Sequence, residues 1–319
     1  MKPTTSHPAK PQALIPTLFS AHITDELRCY DAHLRDVRGL ATGTRKGRLR
    51  TVGLFLQRKF RGSAIEIRKL HPDDIRQFLT VQQNRKQSAS YSSHVAATLR
   101  SYLRYRATCG DSVGKLTAVI LNPVHWKLAS LPRALNPEQV ERLLSSISSA
   151  RRWPKRGYAI VRCALDMGLR VGEIAHLMIS DIDWHAGTVT LRGTKSLRQD
   201  VLPLPMETGR SLADYLQYER PVTNHPAIFV RQMAGQENPI TSGAIQKMIK
   251  RACRRIGLPH SSAHALRHTV ACRLVENGSS LKEVADLLRH RSLNTTLIYA
   301  KLDTPKLAAV ALPWPGSAS

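Results

Sequence analysis

The feature that most constrains this chain is a break. Between residues 110 and 133 the apolar periodicity stops, and Gly110, Gly114, Pro123 and Pro132 alternate with Lys115, Lys127 and Arg133. Glycine and proline interrupt regular elements, and lysine and arginine prefer water, so the stretch reads as a linker between two separate cores. With 319 residues and a 42% hydrophobic content, the chain has the apolar material for both.

Upstream of the break the spacing is helical and the surface basic. Ile23, Leu27, Tyr30 and Leu34 share one helix face, as do Val52, Phe55 and Leu56 in the next segment. Pro72 with Asp73 and Asp74 marks a helix start, and a fourth segment from Tyr91 to Ala107 puts Val95, Leu99, Tyr102 and Leu103 together. Residues 21–110 are thus expected to form a small four-helix domain, preceded by a Pro-rich flexible arm over 1–20 and followed by the linker over 111–133. Downstream, Asn136-Pro137-Glu138 caps a new helix that opens a second domain over 134–302. Gly187–Leu191 and Asp200–Leu204 read as strands joined by a turn holding Gly193 and Lys195. Residues 303–319 form a tail, in which Thr304-Pro305-Lys306 starts a short apolar helix. The fold class expected is mainly α with a small antiparallel β-sheet.

Charge narrows the function. Lys and Arg number 48 against 23 Asp and Glu, a net charge of +25. A chain this basic calls for an anionic partner, of which nucleic acid is the commonest, although a solvated basic surface or a ribosome-like protein would share the composition. Aromatic residues make up only 5%, which argues against binding single strands by stacking. Five scattered cysteines without Cys-x-x-Cys spacing read as reduced thiols of a cytosolic protein. No stretch is apolar enough to span a bilayer, and Met1–Gln12 lacks the pattern of a signal peptide, so a cytoplasmic location without membrane association is expected.

Four short motifs then occur in order. Gly168-Leu169-Arg170-Val171-Gly172-Glu173 puts an arginine at a helix start with an acid three residues on, where it can orient its neighbourhood. Lys195 sits in the turn between the strands. His264-Ala265-Leu266-Arg267-His268 follows Pro259, and Leu288-Arg289-His290 precedes Tyr299 by nine residues counted from His290. Singly these are ordinary: Tyr299 alone reads as a packed tyrosine, Arg170 with Glu173 as a surface ion pair, Lys195 as solvated. His260, His264 and His268, at i, i+4 and i+8, suggest zinc, but Pro259 and Ser262 place His260 before the helix and no acid joins them, so no metal is expected.

As an ordered set the residues resemble the catalytic signature of the tyrosine recombinase, or phage integrase, family: Arg170, Lys195, His264, Arg267, His290 and Tyr299, supported by Glu173. The likeness is strong over 134–302, whereas 20–110 fits the family's DNA-binding domain by position, charge and helix pattern. One departure is Arg289, where the family usually has glycine.

The chemistry accounts for the residue types. A tyrosine hydroxyl with a pKa near 10 attacks phosphorus poorly unless a base or a cationic site assists it. Charge that builds on the non-bridging oxygens suits two rigid guanidiniums, here Arg170 and Arg267. The resemblance implies that Lys195 protonates the departing 5′ oxygen, that His264 transfers protons and that His290 holds the phosphate. It further implies a two-domain clamp on double-stranded DNA, a 3′-phosphotyrosine intermediate, no cofactor, and dimers that assemble to a tetramer. Arg45, Lys46, Arg48, Arg100, Arg104 and Arg289 are the expected additional DNA contacts. The role expected is integration or excision of a mobile element. A type IB topoisomerase and a DNA-binding protein that keeps the fold without catalysis stand as alternatives.

Overall fold

The computed structural model describes residue 14 and residues 19–86, 89–121, 134–192, 199–231, 238–290 and 292–302. The turn with Lys195, the tail over 303–319 and most of the arm and linker lie outside the described residues. The chain divides into two compact units, Met1–Trp126 and Lys127–Ser319.

The first unit is built on α1 (Ala21–Ala32), α2 (Thr42–Phe60), α3 (Pro72–Lys86) and α4 (Ala89–Thr108). The apolar spacings read from the sequence all face one core: Ile23, Leu27, Tyr30, Leu34, Val52, Phe55, Leu56, Val95, Leu99, Tyr102 and Leu103 are each at most 1% exposed. Burying an aliphatic or aromatic side chain of this size contributes about 1.5–3 kcal/mol, so this face, and not helix propensity, holds the unit together. The linker starts later than the glycines indicate. A short helix, α5 (Gly114–Ala118), presents Val113 and Leu116 to the core, and Ile120 follows them. Two glycines outweighed an i, i+3, i+7 apolar spacing that was there to be seen.

The second unit surrounds α7 (Pro154–Asp166), whose Ala159, Ile160, Val161, Cys163, Ala164 and Leu165 are all buried. Before it lies α6 (Pro137–Ser148), closed by a capping box in which the Asn136 side chain accepts from the Gln139 amide and the Gln139 side chain accepts from the Asn136 amide. After it come α8 (Val171–Ala175), α9 (Met206–Tyr218), α10 (Ser242–Arg255), α11 (Ala263–Glu276) and α12 (Leu281–Leu287). An antiparallel sheet is inserted between α8 and α9, with β1 (Ile182–Asp183), β2 (Thr188–Leu191) and β3 (Asp200–Pro203) in that order. Its register pairs Val189 with Leu202 and Leu191 with Asp200, which puts the inward side chains Val189, Leu191 and Leu202 on the core. The strand pair read from the sequence is present; β1, only two residues long, carries no alternation to read. All five cysteines are free. Among the described residues no helix is long and apolar enough to cross a membrane.

Candidate active site

Three segments of the second unit position the described signature residues. The first is the junction of α7 and α8. Gly168 has φ +61°, and a Cβ there would lie 2.7 Å from Leu288 Cδ2, so glycine spares this position both backbone strain and a displacement of Leu288. Two residues on, Arg170 stands at the N-cap of α8, and its backbone N–H donates to Glu173 Oε2 at 2.8 Å. The Glu173 carboxylate thus satisfies a helix-start amide and also accepts from Arg170 Nη1 at 2.7 Å.

The second is α11. Arg267, 6% exposed, donates from Nη1 to the carbonyl of Gly168 and from Nη2 to that of Leu288. Those bonds fix the plane of the guanidinium before any substrate arrives, as a preorganised charge requires. His264, one turn earlier on the same helix, is exposed.

The third is the end of α12. Arg289 N–H donates to the Asp286 carbonyl and His290 N–H to the Ala285 carbonyl, at 3.0 and 2.9 Å, the hydrogen-bond pattern of a Schellman cap. The residue at its left-handed position is usually glycine; here it is Arg289, with φ +52°. The strain is offset locally. Arg289 Nη2 donates to Glu173 Oε2 at 2.7 Å, and its carbonyl accepts from Arg170 Nη2 at 3.1 Å. Its side chain is 5% exposed, so the expected contact of Arg289 with DNA is corrected: the guanidinium is buried in an internal ion pair.

From this cap the chain runs directly to the remaining groups. His290 Nδ1 lies 2.7 Å from the hydroxyl of buried Thr296. Tyr299 is 2% exposed, packed among Ala271, Cys272, Val275, Val284 and Leu288. Its hydroxyl is 2.6 Å from Nδ1 of His268, the residue after Arg267. That contact was not legible in the sequence, where His268 figured only in the zinc reading; the two residues are 31 positions apart and nothing in their spacing links them.

The electrostatics are lopsided. Three guanidiniums, Arg170, Arg267 and Arg289, surround one carboxylate, Glu173. Burial would raise the Glu173 pKa, but Arg289 and Arg170 hold it below the ordinary value. Burial, then Arg170 and Arg289, press the Arg267 pKa down. Burial, then Arg267 and Arg170, lower that of His290 to about 4, which keeps its ring neutral at physiological pH. A neutral ring carries one N–H, so in the tautomer that accepts from Thr296 at Nδ1 the proton is on Nε2. Burial raises the Tyr299 phenol to about 12, against the opposing pull of Arg267. A cluster with this excess of fixed positive charge gains most from a bound dianion or monoanion such as a phosphodiester. Among the described residues no group of three His, Cys, Asp or Glu is arranged to hold a metal ion.

The first unit separates its expected DNA contacts into two kinds. Arg45 is buried in a two-pronged ion pair with Asp31, at 2.8 and 2.6 Å, which corrects its assignment to DNA. Arg48 donates to Ser101 and Arg100 to the Ile120 carbonyl, so both serve the fold. Lys46 and Arg104 are exposed.

Residues 133–305, more than half of the chain, match the model of the phage integrase family. A relative from Sinorhizobium fredii, named integrase/recombinase y4rA, is 34% identical over 298 residues, covering 93% of this chain and 72% of its own. Tyrosine recombinase XerD of Listeria monocytogenes is 28% identical over 286 residues, or 86% of this chain and 92% of that one. Among solved structures, a lambda integrase dimer bound to a COC′ core site superposes with a TM-score of 0.67 at 18% identity, over 86% of this chain and 94% of that chain. The Tn1549 transposon integrase in complex with a circular intermediate DNA gives 0.65 at 18% identity, over 90% and 99%. On the family match, the relatives and a fold shared with these integrases, the chain belongs to the phage integrase family, the tyrosine recombinases, which recombine DNA at specific sites.

Proposed function

We propose that this chain cuts and rejoins double-stranded DNA through a 3′-phosphotyrosine bond to Tyr299, in the integration or excision of a mobile element. One observation carries the reading: a buried tyrosine hydroxyl, 2.6 Å from the ring of the residue after Arg267, belongs to a site where guanidiniums outnumber carboxylates. Arg170 and Arg267 neutralise the non-bridging oxygens, and His290 adds a donor from Nε2. Attack by Tyr299 Oη displaces the 5′ oxygen, to which Lys195 delivers a proton. The phosphotyrosine keeps the energy of the phosphodiester, so the 5′ hydroxyl of a second strand can reverse the step without ATP. The charge that a metal supplies elsewhere comes from the arginines, and no cofactor enters the reaction.

The lambda and Tn1549 integrase complexes support duplex DNA as substrate, and the lambda dimer supports a pair of protomers on each core site. Two such pairs form the tetramer that exchanges strands. Exposed Lys46 and Arg104 contact the DNA backbone.

The test is covalent trapping. A nicked duplex that loses its 5′ fragment on cleavage should accumulate a protein–DNA adduct with the wild-type protein, in excess EDTA as well. Tyr299→Phe should bind the same duplex and form none. An adduct in that variant overturns the reading, and relaxation of supercoiled DNA of arbitrary sequence would place the chain with type IB topoisomerases.

A further inference from the structure

The mechanism leaves one proton without an acceptor. The Tyr299 hydroxyl is a weaker acid than ordinary tyrosine because it is buried, so it must lose its proton as it attacks. His264, to which the resemblance gives proton transfer, is exposed, whereas the ring that touches the reacting atom is that of His268, with Nδ1 at 2.6 Å from the hydroxyl. The two rings are tilted by 57° with centroids 5.6 Å apart, close enough for the hydrogen bond without stacking. Both residues are held by the same helix: His268 lies on α11, whose neighbours Arg267, Thr269 and Val270 are buried, and Tyr299 packs in the cluster that includes Ala271 and Cys272 of α11 and Leu288.

Resting on the assignment of Tyr299 as nucleophile, we propose that His268 is the general base of strand cleavage, accepting the Tyr299 hydroxyl proton on Nδ1 as Oη bonds to phosphorus. The phosphorus–O5′ bond breaks with its electron pair going to O5′, which takes the proton that Lys195 supplies. On rejoining, the incoming 5′ hydroxyl returns a proton to Lys195, the Oη–phosphorus bond breaks, and the phenolate recovers its proton from the His268 imidazolium. Atoms and charge balance in both directions, and no further reactant is needed.

The surroundings suit the role. Burial, then His264 and Arg267 on its own helix, lower the His268 pKa, so the ring is neutral and able to accept at physiological pH. From the other elements, Tyr299 and His290 face it, and Cys272 lies against the tyrosine. None of these offers a carboxylate, so the imidazole is the base within reach.

Single-turnover adduct formation on the nicked duplex, at saturating protein, tests the assignment. His268→Ala and His268→Gln should bind the duplex as wild type does and cleave roughly 10²–10⁴-fold more slowly at pH 7.5, the range expected for losing a general base. Glutamine can accept the hydroxyl hydrogen bond but cannot take up the proton, so its failure to restore the rate separates a base from a mere anchor. The rate of both variants should climb about tenfold per pH unit up to pH 9.5, where hydroxide replaces the missing base, while the wild type levels off above the imidazole pKa. Added imidazole should accelerate His268→Ala and leave Tyr299→Phe inert. Wild-type or faster cleavage by His268→Gln would overturn the proposal and make the contact a latch that stores the nucleophile. In that event the adduct formed by wild type and absent from Tyr299→Phe would still stand.

Discussion

The core of the first unit and the candidate site of the second treat buried arginine differently. In the first, Arg45 meets Asp31, and Arg106 meets both Glu26 and Asp111, so each of these two guanidiniums faces at least one carboxylate. In the second, Arg170 and Arg289 share Glu173, and Arg267 has backbone carbonyls in place of an acid. Burying a charge is costly unless it is paired, so the matched pairs of the first unit are structural solutions. The candidate site of the second unit is a different arrangement. There three guanidiniums are set against one carboxylate, close to buried Tyr299. Basic character alone does not separate these cases; the ratio of buried cations to buried acids does.

That contrast predicts the largest effect at Glu173. Glu173→Gln removes the carboxylate on which two guanidiniums depend, and its side chain is only 9% exposed. Chemical denaturation should show a loss of about 3–5 kcal/mol, the range for breaking a buried pair. Sulfate or phosphate should restore part of it, because either anion replaces the missing charge. A loss that is indifferent to those anions breaks the comparison.

A smaller effect is expected in the first unit. Arg45→Met strands Asp31 but creates no cluster of cations, so the cost should be about 1.5–3 kcal/mol, that of hydrogen bonds to a charged group. Added phosphate should not alter it. Equal anion rescue of both variants would show that the two units do not differ in kind.

Smaller still is the backbone term at Arg289. Arg289→Gly relieves the left-handed strain and Arg289→Ala keeps it, while both lose the bond to Glu173. Glycine should therefore be more stable than alanine by about 1–2 kcal/mol in thermal melts. Identical melting would mean that the φ of +52° belongs to the arginine's ion pair and not to the helix cap.

The least effect falls on the exposed cations. Lys46→Ala and Arg104→Ala should each leave folding unchanged and lower the salt dependence of DNA binding by roughly one unit of log–log slope, as for a single phosphate contact. No change in slope for either would take that residue off the DNA.

Much of the molecule was legible in order and spacing. The i, i+3, i+4 runs of α1, α2 and α4, the Asn136 cap of α6 and the paired strands β2 and β3 each follow from local rules acting within a few residues. The same rules misplaced the start of the linker, because Gly110 and Gly114 were weighed above the apolar Val113, Leu116 and Ile120 that pack behind them. They also could not sort the arginines. Arg45, Lys46 and Arg48 are nearly adjacent in the chain, yet one is buried on Asp31, one exposed and one bonded to Ser101.

Residue types in sequence order were enough to establish a basic two-unit chain carrying the arginines, histidines and tyrosine of phosphoryl transfer, since that chemistry dictates which side chains must be present. Which of them touch was decided by the tertiary structure alone. Glu173 lies 116 positions from Arg289, and His268 lies 31 from Tyr299. The packing of α8, α11, α12 and the segment after α12 brings such pairs within hydrogen-bond distance, and no periodicity along the chain encodes a contact made between different elements.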